Sequence, residues 1–95
     1  MNQVLLSAVI AEAKPLRYTP AGLPALDLQL EHESEVIEAG GKRQVKAVIR
    51  AVAFGPQAES LVRQAVGSHW RFAGFLSTPR NGKHPVVHIQ EFQQD

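Results

Sequence analysis

Residues 43–67, RQVKAVIRAVAFGPQAESLVRQAVG, change periodicity halfway along, and that change decides the fold. The first part alternates. Val45, Ala47, Ile49, Ala51 and Ala53 fall on one face, while Lys46, Val48, Arg50, Val52 and Phe54 fall on the other, the period-2 signature of a strand. After Gly55 the spacing becomes helical, with an apolar stripe of Ala58, Leu61, Val62 and Ala65. Pro56 suits a first helical position, Glu59 falls where the helix dipole favours an anion, and Gly67 supplies a stop. A strand, one helix of about three turns and a further strand are predicted in succession.

Working outward, residues 68–77 alternate again, with Trp70 and Phe72 inward and His69 and Arg71 outward. Gly74 in their midst marks a bulge or a close approach of two backbones. Residues 86–92 form a last strand, with Val87 and Ile89 facing away from Val86, His88 and Gln90. Between the two lies TPRNGKHP, whose Asn81-Gly82 pair predicts a hairpin with a mirror-type turn.

Toward the N-terminus, ALDLQLEH places Leu26, Leu28 and Leu30 opposite Asp27, Gln29 and Glu31, a half-buried strand. The segment ESEVIEAGGK that follows is expected to be a charged, solvated loop ending in a flexible Gly-Gly tip. KPLRYTPAGLP, with its prolines and glycine, reads as a loop, and QVLLSAVIAEA before it reads as a first strand. The order is strand, strand, strand, helix, strand, strand. It predicts an all-β domain over residues 1–95: a five-stranded Greek-key barrel of the OB type, with one short helix between the third and fourth strands.

Composition narrows the function. The chain has 95 residues, 44% of them hydrophobic, and no cysteine, which suits one domain in a reducing compartment without disulfide or thiolate chemistry. No apolar run reaches the ~20 residues of a spanning helix, and the N-terminus lacks a signal-peptide pattern, so a cytoplasmic protein without a membrane partner is expected. The net charge is only +1, yet Glu31, Glu33, Glu35 and Glu38 cluster and Lys42, Arg43, Lys46 and Arg50 follow directly. Local potential, rather than the total, steers an anionic partner. Metal and catalytic patterns are missing. His84 and His88 lack a third ligand at metal spacing, Ser60, Ser68 and Ser77 lack a nucleophile-elbow context, and no phosphate-loop glycine pattern occurs. Neither an enzyme nor a cofactor is implied.

Several short motifs then carry a family likeness in their shared order: Pro15-Leu16-Arg17, Pro20-Ala21-Gly22-Leu23-Pro24, Leu30-Glu31-His32, Val66-Gly67-Ser68, Gly74-Phe75 and Asn81-Gly82. Along nearly the whole chain they resemble bacterial single-stranded DNA-binding proteins, and more closely the shortened relatives known as primosomal replication protein N, the PriB family. The chain stops at EFQQD, just past the last strand, where the longer relatives continue into an acidic-ended tail. The resemblance implies a non-catalytic OB-fold homodimer that acts in replication restart. Its implied partners are single-stranded DNA, the restart helicase, other primosome proteins and single-stranded DNA-binding protein. Two other readings stay open: a protein-interaction adaptor with weak DNA binding, and a tail-less single-stranded DNA-binding protein.

Binding a single strand requires cations for the phosphates and flat side chains for the bases. The candidates are Arg17 and Tyr18 in the first loop, and Lys46 and Arg50 on the outer face of the third strand, with Lys42 and Arg43 leading into it. His69 and Arg71 on the fourth strand and Arg80, Lys83 and His84 in the last hairpin complete the set. Each alone has the look of a solvated charge; together they suggest a face. Where the family places aromatic side chains in the second loop and at the start of the third strand, this chain has Gly41 and Lys46, and it has Glu33 in place of an arginine. Trp70 falls on the core parity, which leaves Tyr18 and Phe54 as the aromatics available for stacking. Weak, strongly salt-dependent binding through phosphate contacts is therefore expected. Strand one, apolar on both parities, is the expected dimer seam.

Overall fold

Leu26, Leu28 and Leu30 point into the barrel and are almost wholly buried, which fixes the register of everything packed around them. The computed structural model describes residues 1–95. Its elements are β1 (Val4–Ala13), β2 (Arg17–Tyr18), β3 (Pro24–Glu38), β4 (Gly41–Phe54), α1 (Pro56–Leu61), β5 (His69–Ser77) and β6 (Val86–Gln93). The sheet order is β1-β5-β6-β4-β3-β2, and a β1–β3 pairing closes five of these strands into a barrel. All ladders are antiparallel except β4–β6, which is parallel. This is the predicted OB arrangement, with the helix between the third and fourth barrel strands. Ile10, Phe72, Leu61, Val87 and Ile89 complete the core around the three leucines.

Gly74 lies where β5 meets β6. The register shifts between Ala73 and Gly74, and a side chain at Gly74 would run into the His88 carbonyl, so the predicted close approach is real. Trp70 packs against the core as its parity predicts, donates from Nε1 to Ser68 Oγ at 2.8 Å and meets Phe92 edge-on. Asn2 extends the β1–β5 ladder with its side chain alone: Nδ2 donates to the Leu76 carbonyl at 2.7 Å and Oδ1 accepts from the Leu76 N–H at 2.8 Å.

Four expectations change. Residues 33–38 are not a solvated loop but the outer half of β3, paired throughout with β4. Opposite charges across the ribbon explain this. Glu33 sits opposite Lys46 and accepts from Gln44 at 3.2 Å, while Arg43 donates to Glu38 at 2.8 Å. Second, two consecutive positive φ values, the backbone of a mirror-type turn, occur at Ala39 (52°) and Gly40 (80°). They do not occur at Asn81-Gly82. There the Gly82 N–H bonds back to the Pro79 carbonyl at 2.9 Å, so Arg80 and Asn81 occupy the centre of the turn. Third, α1 has 6 residues rather than three turns; Ala58 and Leu61 are buried, but Val62 and Ala65 beyond it are exposed. A six-residue plug covers the barrel end, and the chain then has to turn toward β5. Fourth, part of the expected first loop is strand: Arg17 and Tyr18 pair with Ala25 and Pro24.

Candidate nucleic-acid interface

The outer face of β3, β4, β6 and β5 can be read as rows across the sheet. One row runs Arg17–Ala25–Phe54. The next runs Asp27–Val52–His88–Phe75. A third pairs Gln29 with Arg50, and Arg50 shares a depression with Val86, Glu12, Lys14 and Asp27. Val86 pairs with Ser77, and these two residues are the roots of the loop 78–85 that carries Arg80, Lys83 and His84, all exposed. Arg17 and Arg50 therefore share one face, and the loop that carries the other cations is rooted at its edge; OB barrels hold oligonucleotides with this face and these loops. Tyr18, exposed, projects from β2 at its edge.

Arg17 is already engaged. Its Nε donates to Asp27 Oδ2 at 2.6 Å and its Nη2 to Oδ1 at 3.1 Å. The hydrogen bond with Arg17 holds the Asp27 carboxyl below its usual range although partial burial pushes the other way, and it raises Arg17 in turn. A phosphate near Arg17 must compete with that carboxylate.

The remaining predicted residues lie elsewhere. His69 pairs with Val9, Val9 with Glu31, and Glu31 with Val48, so His69 and Lys46 line one depression of about 690 Å³ together with Glu33, His32 and Ser7. Arg71 pairs with Ser7 and Gln93; with the Gln93 amide turned so that its oxygen faces the guanidinium, that oxygen accepts from Arg71 at 2.8 and 3.3 Å. His69 also approaches Asp95 at 3.5 Å. Lys42 and Arg43 are at the ribbon tip, Arg43 bound to Glu38. On the ribbon, Lys42 and Lys46 share their face with Glu31, Glu33 and Glu35, which outnumber them. The expected single basic face is thus divided into one open cationic face and a ribbon of mixed charge.

Two features escaped the sequence. His32 ties β3 to β1 where their ladder opens: Nδ1 donates to the Ser7 carbonyl at 2.6 Å and Nε2 bonds Ser34 Oγ at 2.8 Å. Val52, on the outer parity, is nevertheless buried, because the aromatic rings of its row cover it. His88 stacks on Phe75 with centroids 4.7 Å apart and meets Phe54 at 5.8 Å. The alternation of residues 69–77 and 86–92 held the signal, but pairing across the sheet depends on register.

The strand order and its β1–β3 closure define an OB barrel, the architecture that single-strand-binding proteins use. A family profile described as "Another single-strand binding protein family" matches residues 2–91. Replication restart protein PriB of Bordetella pertussis is 46% identical over 92 residues, 96% of this chain and 86% of that one. The solved PriB structure from Ralstonia solanacearum superposes with a TM-score of 0.90 at 35% identity, covering 99% of this chain and 97% of that one. The single-stranded DNA binding protein from Thermus aquaticus gives 0.78 at 27% identity, covering 98% of this chain and 49% of that one. The chain belongs to the PriB family of replication restart proteins.

Proposed function

We propose that the protein is a non-catalytic, cytoplasmic primosome accessory. It binds single-stranded DNA at sites of replication restart, stabilises the restart helicase there and helps bring in the next primosome protein. The observation that carries the reading is the open face on which Arg50, Arg17 and the loop 78–85 surround a row of aromatic rings. Titration of labelled single-stranded oligonucleotides, with and without the helicase, tests it. Binding is expected to weaken steeply with salt, and affinity unchanged between low and moderate salt would overturn the phosphate account.

An adaptor role draws on a separate observation: the ribbon mixes Lys42 and Lys46 with three glutamates and bears exposed Val48 and Ile37, a composition suited to a protein surface. Homodimerisation through β1 is supported by Leu5, 68% exposed, and by an open edge. Residues 4–8 pair only with β5, since the β1–β3 ladder starts at Val9.

Asp27→Asn offers a sensitive check. It removes a carboxylate from the face and releases Arg17, the equivalent of adding about one phosphate contact, so affinity at about 0.1 M salt is expected to rise about fivefold. Stability should change by less than about 1 kcal/mol, because the pair is half exposed. Unaltered affinity in the titration would remove Arg17 from the interface.

A further inference from the structure

We propose that Asn81 is a modification site: in the free protein it deamidates through Gly82, and the carboxylate so formed weakens the grip of loop 78–85 on single-stranded DNA. The modification stands on the loop alone; its effect on binding rests on the DNA reading.

The chain has two asparagines, Asn2 and Asn81, and they differ in what this chemistry needs. Asn2 is held at both ends of its amide, Nδ2 by the Leu76 carbonyl and Oδ1 by the Leu76 N–H, and Gln3 follows it. Asn81 is followed by Gly82, which has no side chain to hinder the approach of its nitrogen to Asn81 Cγ. Residues 76–85 are all exposed, and one backbone hydrogen bond, from the Gly82 N–H to the Pro79 carbonyl at 2.9 Å, holds the turn. While that bond is made, the Gly82 nitrogen keeps its proton, so the reaction needs the turn to open. A single exposed hydrogen bond is a weak restraint.

In the opened turn the Gly82 nitrogen loses its proton to solvent base and attacks Asn81 Cγ. A new C–N bond closes a cyclic imide, the Cγ–Nδ2 bond breaks, and Nδ2 takes up a proton and leaves as ammonia. Water then opens the imide at either carbonyl, giving aspartate or, with the main chain rerouted through Cγ, isoaspartate. Either product puts a negative charge between Arg80 and Lys83, both exposed on the loop rooted at the edge of the Arg50 face. An anion there offsets about one phosphate contact. A strand that engages Arg80 and Lys83 on either side of Asn81-Gly82 holds the turn closed, so bound protein is protected and free protein ages.

The test keeps the whole protein in warm, mildly alkaline buffer, alone or saturated with an oligothymidylate. Isoaspartate is assayed with an isoaspartyl methyltransferase and located by peptide mass spectrometry. It is expected at Asn81 and not at Asn2, and to form several-fold more slowly in the saturated sample. Aged protein and the Asn81→Asp variant are expected to bind the oligonucleotide about fivefold more weakly at about 0.1 M salt. Asn81→Gln, whose longer side chain closes an imide far less readily, should keep its initial affinity throughout. An Asn81 that stays intact in the free protein while the urea-unfolded chain converts would overturn the proposal. Equal conversion with and without the oligonucleotide would overturn it too, as would an Asn81→Asp variant that binds as tightly as the unsubstituted protein. If fresh protein bound no strand at all, the DNA reading would fall and the effect on binding with it, while the mass measurement would still decide the modification.

Discussion

Gly74→Ala is expected to lower the melting temperature by about 12 °C or more, because at no other glycine of the chain would a methyl group meet backbone so closely. A Cβ at this position would occupy the space of the His88 carbonyl and crowd the Gln90 amide nitrogen. Both are backbone atoms held by the β5–β6 ladder, so neither can swing aside as the end of a long side chain would. The position is also buried, and the bulge between Ala73 and Gly74 already absorbs the register shift there. Relief therefore requires the two strands to separate, at a cost of about 3 kcal/mol, the upper end for overpacking. In a domain of this size each kcal/mol moves the melting temperature by about 4–8 °C. Thermal and urea unfolding would measure it, with a lower urea midpoint at unchanged slope expected. A midpoint equal to that of the unsubstituted protein would mean that the strands can slip and that the approach is not fixed. The separation would also disturb the Phe75–His88 stack, so DNA binding should fall with stability.

The barrel was legible because its signals are local. Leu26, Leu28 and Leu30 alternate with polar residues, Pro56 and Glu59 open the helix, and Gly74 has no tolerable replacement; each constrains the chain within a few residues. The outer half of β3 was not legible. Glu33, Glu35 and Glu38 look solvated until Lys46, Gln44 and Arg43 are laid opposite them, and that requires the register. Asn81-Gly82 misled for a related reason. Its hairpin is correct, yet a loop of this length turns at Pro79–Gly82, while the short turn at Ala39–Gly40 had no Asn-Gly to announce it. The site followed the same division. The cations were visible one by one, but the sequence does not say which of them share a face. The rows of the sheet separate Arg50 from Lys46 although only four positions divide them. Barrel coiling turns Lys46 toward His69 and Glu33, and Arg50 toward Lys14 and the root of the last loop.

That separation yields the second large effect, on binding. The triple variant Arg50→Ala/Arg80→Ala/Lys83→Ala is expected to bind single-stranded DNA about a hundredfold more weakly at about 0.1 M salt. Each phosphate contact on a single strand contributes about 0.7 to the slope of log affinity against log salt, so three contacts contribute about 2. The linear law also requires the variant and the unsubstituted protein to converge as salt approaches about 1 M, where the counterion term vanishes. Convergence distinguishes lost phosphate contacts from general damage, which would weaken binding at every salt concentration alike. All three side chains are exposed, so stability should hardly change. Lys42→Ala/Lys46→Ala is the matching comparison on the ribbon. There Glu31, Glu33 and Glu35 already oppose a phosphate backbone, and removing two outnumbered lysines should cost only a few-fold. Oligonucleotide titrations across a salt series read both variants directly. If the ribbon pair lost as much affinity as the triple variant, or if the triple variant kept the full slope, the strand would run along the ribbon instead. The open face around Arg50 would then be left to a protein partner.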